Sequence, residues 1–201
     1  MLLNKRTFFT ADTHFWHANI IRYCNRPWHS GRNRDGELVV TDADSERMTE
    51  ALVKNWNSVV GKHDVVFHLG DFALFRKNGS GVKKARELLG RLNGTKHLVM
   101  GNHDMDISEN VDFWRDVGFS RVFDVPVVLN RWFVLSHSPM EFWNPDSPYV
   151  NIHGHVHGNP DYRTFRTNAV CVCVERHGYA PIRFSDVVKG ISEAETSVEI
   201  S

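Results

Sequence analysis

The chain has 201 residues, of which 41% are hydrophobic and 24% are charged, and its 24 Lys plus Arg balance 24 Asp plus Glu. This composition is ordinary for a folded globular protein, and the length favours one domain spanning residues 1–201. A net charge of zero argues against extended binding along a nucleic-acid backbone, because such binding requires clustered positive charge.

Nothing in the sequence predicts a membrane protein or a secreted one. The N-terminus lacks the long apolar region of a signal peptide, and no run approaches the roughly 20 apolar residues of a membrane span. Cysteines number only three, Cys24, Cys171 and Cys173, so a full disulfide framework is impossible. We therefore expect a cytoplasmic protein without a membrane partner; the sequence carries no signal for its oligomeric state.

Short apolar runs alternate with helical patterns in the first half of the chain, and runs of the strand type dominate the second half. The predicted strands are 7–11, 65–69, 97–100, 122–129, 132–135, 149–152 and 169–174. The predicted helices are 18–24, 42–60, 82–92, 108–117 and 185–191. This pattern predicts an α/β fold with mixed sheets and helices outside them. Two long loops, 25–40 and 139–148, are candidates for functional segments.

Histidine is unusually frequent, with 12 residues, and several of them lie in five short motifs at the ends of predicted strands. The motifs are Asp12-Thr13-His14, Gly70-Asp71, Gly101-Asn102-His103-Asp104, Ser136-His137 and Gly154-His155-Val156-His157-Gly158. Loops at the carboxyl ends of strands are where open α/β sheets bind ligands. Each motif alone has an ordinary reading, such as a turn for Gly-Asp. Their joint presence, in order and at strand ends, predicts a metal site.

The residue types suit divalent cations with mixed nitrogen and oxygen ligands. In an extended segment residues i and i+2 share a face, so Asp12 and His14 are expected to point the same way, as are His155 and His157. Asp71 is the best candidate to bridge two cations, because a carboxylate has two oxygens.

In full and in order, these motifs resemble those of the calcineurin-like metallophosphoesterase superfamily, and the segment 10–27 resembles its small bacterial and phage branch. The resemblance implies a four-layer α-β-β-α sandwich without a separate cap domain. It also implies two divalent ions, with Mn first and Fe, Zn, Ni, Co or Mg as alternatives. One ion would be held by Asp12, His14, Asp71 and His157, and the other by Asp71, Asn102, His137 and His155.

The same resemblance implies a mechanism in which a hydroxide shared by the two ions attacks phosphorus. His103 resembles the histidine that protonates the leaving group, and Asp104 would orient His103.

Substrate contacts are less constrained by the sequence. His17, Asn19 and Arg26 follow the first ligand pair and are candidates for phosphate binding, with local hydrogen bonds or salt bridges as the alternative. Trp28, Phe142 and Trp143 lie in the long loops and could stack on a nucleobase or pack on the core.

We therefore expect a phosphodiesterase that acts on small phosphoesters or nucleotides, with 2′,3′-cyclic nucleotides as the first substrate class to test. A phosphomonoesterase such as a protein phosphatase and a nuclease are the alternatives. A non-enzymatic metal-binding scaffold is disfavoured, because every predicted ligand and His103 are present.

Overall fold

The computed structural model describes residues 3–142 and 147–199. In these residues the strands form two sheets. The strands are β1 (Thr7–Thr10), β2 (Val65–His68), β3 (Thr95–Val99), β4 (Arg121–Phe123), β5 (Val127–Leu129), β6 (Phe133–Ser136), β7 (Val150–His153), β8 (Ala169–Cys171) and β9 (Ile182–Arg183). The first sheet has the order β4-β3-β2-β1-β9 and the second the order β5-β6-β7-β8.

The centre of each sheet is parallel. Strand β1 pairs in parallel with β2, β2 with β3 and β3 with β4, while β9 is antiparallel at the edge. In the second sheet β6, β7 and β8 are parallel and β5 is antiparallel. Parallel neighbours end at the same sheet edge, so the motifs that follow them are brought together.

Six helices are found in the described residues: α1 (Ala18–Tyr23), α2 (Asp42–Val59), α3 (Gly79–Arg91), α4 (Asn102–Ile107), α5 (Val111–Val117) and α6 (Phe184–Glu199). Helix α2 begins with a capping box in which Thr41 accepts a hydrogen bond from the Asp44 N–H, and such a cap satisfies donors that have no partner within the helix. Helix α3 begins three residues earlier than predicted, because the Asn78 side chain accepts a hydrogen bond from the Gly81 N–H.

Two buried clusters show how the sheets are packed. Side chains alternate along a strand, so Phe8 of β1 joins the cluster that contains residues of α2, α3 and α5, whereas Phe9 joins the cluster that contains residues of the second sheet. Helix α6 packs against strands of both sheets. The predicted α/β class with two packed mixed sheets is confirmed.

Several predicted elements differ from the structure in their extent; helix α6, for example, runs to Glu199, whereas the predicted helix ends at 191. The predicted strand 122–129 is two strands in different sheets, because the chain leaves β4 and turns at 124–126, where Pro126 cannot donate a ladder hydrogen bond. The predicted helix 108–117 begins only at Val111, and a separate short helix, α4, starts at Asn102 within one of the motifs.

Candidate metal centre

The loops that follow β1 and β2 run side by side at the sheet edge. The Asp12 N–H donates to the Gly70 carbonyl at 2.9 Å, and the His14 N–H donates to the Asp71 carbonyl at 3.0 Å. The pairing of the two parallel strands therefore continues into both motifs, and this fixes the positions of Asp12, His14 and Asp71 relative to one another.

Five of the seven predicted ligands have a left-handed backbone conformation, which corrects the expectation of extended segments. Their φ angles lie between +47° and +72°, at Asp12, His14, Asp71, His155 and His157. This conformation costs about 1–2 kcal/mol for a residue with a Cβ atom. Backbone strain of this kind is concentrated at functional sites, where the surrounding structure enforces it.

One group of ligand atoms consists of Asp12, His14 and His157, whose candidate atoms all lie within 4.8 Å of one another. Asp12 Oδ2 accepts hydrogen bonds from the His155 N–H at 2.9 Å and from the Cys173 thiol at 3.2 Å. Asp12 Oδ1 and His14 Nε2 are buried and have no hydrogen-bond partner among the described residues. Buried polar atoms without partners are rare and call for an explanation, and a cation supplies one.

The second group consists of Asn102, His137 and His155. His137 Nε2 lies 3.0 Å from Asn102 Oδ1 and 3.0 Å from His155 Nδ1. On the other side of the ring, His137 Nδ1 lies 2.8 Å from the Leu69 carbonyl. A carbonyl can only accept, so Nδ1 carries the proton and the Nε2 lone pair faces the site.

Asp71 stands between the two groups. Its Oδ2 atom lies 3.5 Å from His14 Nε2 and 3.5 Å from His137 Nε2, and its Oδ1 accepts a hydrogen bond from the His103 N–H at 3.0 Å. Atoms that coordinate one ion at about 2.1 Å lie roughly 3.0–3.5 Å apart. The donor set and its spacing therefore fit divalent cations on both sides of Asp71.

The family model described as calcineurin-like phosphoesterase matches residues 5–182 of this chain. The chain belongs to the calcineurin-like phosphoesterase family. It is therefore a metal-dependent phosphoester hydrolase.

Relatives of this phosphoesterase occur in an archaeon and in phages. It is 35% identical to the uncharacterized protein MJ1445 of Methanocaldococcus jannaschii over 201 aligned positions, which cover 95% of this chain and 94% of that protein. It is 34% identical to the Gene 66 protein of Mycobacterium phage L5 over 118 positions, covering 57% of this chain and 47% of that one.

A solved structure shares the fold of the phosphoesterase. The crystal structure of AQ665 from Aquifex aeolicus, a protein of unknown function, superposes with a TM-score of 0.57 at 25% sequence identity. The match covers 91% of this chain and 97% of that one.

Burial and neighbouring charges shift the pKa values of the candidate ligands. Burial, with the nearby Asp71 and Glu175 charges, raises the pKa of Asp12 to about 8. Burial together with the nearby cationic groups holds the pKa of His14 well below its usual value. Burial lowers the pKa of His157, but hydrogen bonds to Cys24 and Glu175 and the charge of Asp12 outweigh it and raise the pKa to about 11. Asp12 and His157 therefore hold protons that a bound cation must displace.

The prediction that Arg26 contacts substrate phosphate is wrong, because its side chain instead makes the hydrogen bonds and salt bridge that were the alternative. Its side chain is fully buried, and its guanidinium donates to the backbone carbonyls of Asp12 at 2.6 Å and Thr13 at 2.9 Å. Its Nη2 also lies 2.6 Å from Glu175 Oε1. The same Glu175 oxygen lies 3.0 Å from His157 Nδ1. Arg26 and Glu175 thus connect the first motif of the site, through the carbonyls of Asp12 and Thr13, to the last motif, through His157.

Cys24, His157 and Glu175 form a further group of atoms with metal-ligand spacing. The Arg26 guanidinium contacts the Glu175 carboxylate at this point. Its positive charge disfavours a cation there, so we assign no ion to this group.

The predicted pairing of Asp104 with His103 is also wrong. Asp104 is fully buried, and its carboxylate accepts hydrogen bonds from the N–H groups of Asp71, Phe72 and Gly101 at 2.8–3.0 Å. It therefore fixes the backbone of two motifs. Burial, with the charge of Asp71, raises the pKa of Asp104 to about 7. The carboxylate beside His103 is that of Asp106, whose Oδ2 lies 3.3 Å from His103 Nδ1.

Of the other two predicted substrate contacts, His17 lines a cleft beside the predicted ligands and Asn19 does not. His17 and His103 line this cleft of about 820 Å³, which is also lined by five of the seven predicted ligands: His14, Asp71, Asn102, His155 and His157. Asn19 is exposed, lies outside the lining of this cleft and accepts a hydrogen bond from Arg22 at 2.9 Å.

Of the aromatic residues predicted to stack on a base, Trp28 and Phe142 do not line this cleft. Trp28 packs on Tyr179 with ring centroids 4.6 Å apart, and the Phe142 ring lies 5.8 Å from that of Tyr149. The prediction for Trp143 falls outside the described residues. Packing on the core, the alternative to stacking, therefore describes Trp28, whereas Phe142 contacts only the partly exposed ring of Tyr149 among the aromatic rings described.

Two further residues contact predicted ligands but were not predicted from the sequence: Cys173 and Glu175. Cys171 and Cys173 are both buried, with 3.3 Å between the sulfur atoms. The contact of Cys173 with Asp12 has no signal in the sequence. Glu175, however, is an acidic residue just after a buried strand, which is the same signal that identified the five motifs.

Proposed function

We propose that this phosphoesterase holds two divalent cations and hydrolyses small phosphodiesters. The observation that carries the proposal is the position of Asp71 Oδ2, 3.5 Å from one histidine nitrogen of each ligand group. We assign one cation to Asp12, His14, Asp71 and His157. We assign the other to Asp71, Asn102, His137 and His155. The mixed nitrogen and oxygen donors suit Mn, and they also accept Fe, Zn, Ni, Co or Mg.

The cation pair would supply an activated water and electrostatic stabilisation of the phosphoryl oxygens. His103 would donate a proton to the leaving oxygen: its half-buried side chain lines the cleft, and its ring lies 5.3 Å from that of His14. Asp106 would orient that ring, because its Oδ2 lies 3.3 Å from His103 Nδ1. Asp104 acts on the reaction only through the backbone of Asp71 and Gly101.

Charge favours a diester over a monoester. A phosphomonoester carries about 1.5–2 negative charges at neutral pH and a diester carries one. Among the described residues that line the cleft, none is Lys or Arg, so no side chain of these types offsets the extra charge. The same absence disfavours a nuclease that grips a long strand.

The test is turnover by chelator-stripped protein with added Mn on bis-p-nitrophenyl phosphate, p-nitrophenyl phosphate, and 2′,3′- and 3′,5′-cyclic AMP. We expect Mn to restore diester hydrolysis, and to do so less for the monoester. His137→Ala should abolish turnover, and His63→Ala, a change at an exposed histidine outside the site, should not. A higher rate on the monoester would contradict the diesterase assignment.

A further inference from the structure

The cleft extends beyond the metal-ligand residues into a region with no charged side chain. On one wall, helix α1 contributes Ile20 and Tyr23, and its last turn leads to Cys24 and Asn25. The other wall is formed by residues next to the predicted ligands His155 and His157. They are Val156, which lies between the two histidines, and Gly158, Asn159 and Pro160, which follow them. We call this region the distal lobe.

The wall formed by α1 follows from the spacing of its residues. Ile20, Tyr23 and Cys24 are three and four positions apart, so they share one helix face. Ile20 is buried and forms the base of that face, whereas Tyr23 is 75% exposed. Helix α1 begins one residue after His17, whose Nδ1 lies 3.2 Å from His14 Nδ1. The helix therefore extends the cleft directly from the metal centre.

The opposite wall is tied to the metal centre just as closely. Val156 stands between the two predicted ligands His155 and His157. The turn that follows is held by Arg176, whose guanidinium donates to the carbonyls of His157 and Asn159, each at 2.6 Å. Both walls are therefore attached to the segments that carry the predicted ligands.

Exposed aromatic residues are common and alone indicate no site. Tyr23 differs because it lines the cleft that also holds the proposed catalytic residues. A flat, neutral group that entered the distal lobe would cover the Tyr23 ring and meet apolar atoms of Val156 and Pro160. A second phosphate would meet no cation there, since the lobe contains no Lys, Arg or His among its described residues.

We propose that the distal lobe binds the planar, uncharged part of the substrate, a nucleobase or another aromatic ring, with Tyr23 as its stacking surface. This inference rests on the proposed function, because it assumes that the phosphate lies at the metal-ligand residues. It makes Tyr23 a specificity-determining residue: the substrate class is phosphodiesters with an aromatic or nucleoside group on one ester arm.

Equilibrium binding to Mn-loaded protein tests the proposal with two phosphates that differ only in the organic group, adenosine 5′-monophosphate and methyl phosphate. Calorimetry should show tighter binding of the adenosine compound, because stacking on an aromatic side chain contributes about 5- to 150-fold in affinity. Tyr23→Ala should remove about tenfold of that preference and leave methyl phosphate binding unchanged. Tyr23→Phe should keep the preference, since the ring is retained.

Tyr162→Ala is the matched control, because Tyr162 is also exposed but lies outside the cleft lining. An equal preference in wild type and Tyr23→Ala would overturn the subsite. Adenosine alone gives a reading that does not depend on metal: saturation-transfer NMR with metal-free protein should show contact that Tyr23→Ala removes. If the protein does not hydrolyse diesters but adenosine still contacts it, the proposed function is rejected and the subsite is kept. If adenosine does not contact the protein, the subsite is rejected.

Discussion

Arg26 and Glu175 form a buried ion pair with 2.6 Å between Nη2 and Oε1, although 148 residues separate them in the chain. The pair connects the backbone of Asp12 and Thr13 to the imidazole of His157. Asp12 and His157 are the first and last predicted ligands, so one ion pair sets the distance between the two ends of the metal centre.

Removing the charge of Glu175 should weaken metal binding. The Glu175 carboxylate accepts the proton of His157 Nδ1 and so leaves Nε2 for a cation, and partners of this kind contribute about 10–100-fold to metal affinity. We expect Glu175→Gln to lower Mn affinity in that range by calorimetry. Glu87→Gln, at a surface residue of α3, is the control; equal affinities in both variants would contradict the role of Glu175.

Asp104→Asn should destabilise the protein rather than only slow catalysis. The buried carboxylate accepts three backbone hydrogen bonds, and an amide presents a donor where one of the N–H groups needs an acceptor. We expect a loss of about 1–3 kcal/mol in the free energy of unfolding, measured with urea on metal-free protein. Asp106→Asn, on the exposed carboxylate beside His103, should leave stability unchanged. A stable Asp104→Asn variant would contradict the structural role of the Asp104 carboxylate.

Gly70→Ala should abolish metal binding. Gly70 has φ +91°, and an added Cβ atom would stand 2.5 Å from His137 Nδ1 and 2.6 Å from the Gly101 backbone nitrogen. The methyl group would force apart the loops that carry Asp71 and Asn102. Gly79→Ala at the start of α3 is the control, since an added Cβ meets nothing within 4 Å. Mn binding by Gly70→Ala at wild-type affinity, measured by calorimetry, would refute this close packing.

Metal affinity should rise with pH. The pKa of Asp12 is raised to about 8 and that of His157 to about 11 in the metal-free protein, and a cation competes with both protons. His157 must release a proton at any pH below about 11, which weakens binding about tenfold per pH unit, and Asp12 adds to this below pH 8. Calorimetry should show more than tenfold weaker Mn binding at pH 6.5 than at pH 7.5, with net proton release. A pH-independent affinity would contradict the two pKa shifts.

The sequence could place the predicted ligands near one another because each follows a strand of a parallel pair, and parallel strands place their ends at one sheet edge. It could not predict how those residues converge. The left-handed conformations of Asp12 and His14 depend on backbone hydrogen bonds to the loop after β2. Those bonds join residues nearly 60 positions apart.

The errors share the same cause. Arg26 follows the first motif in sequence, which suggested phosphate contact, but its partner Glu175 is supplied by the far end of the chain. Asp104 is adjacent to His103 in sequence, yet α4 begins at Asn102, so the Asp104 side chain turns back toward Gly101 and the His103 side chain faces Asp106. Local sequence identified the chemical groups, and long-range packing decided their partners.

The most direct test of the two-cation centre is the stoichiometry and magnetic coupling of Mn bound to chelator-stripped protein, measured by calorimetry with electron paramagnetic resonance. We expect two Mn ions per chain, coupled through Asp71, and a loss of the coupled signal in Asp71→Asn but not in Asp161→Asn, a surface change. A single bound ion, or two ions without coupling, would contradict the bridging position of Asp71 and with it the proposed mechanism.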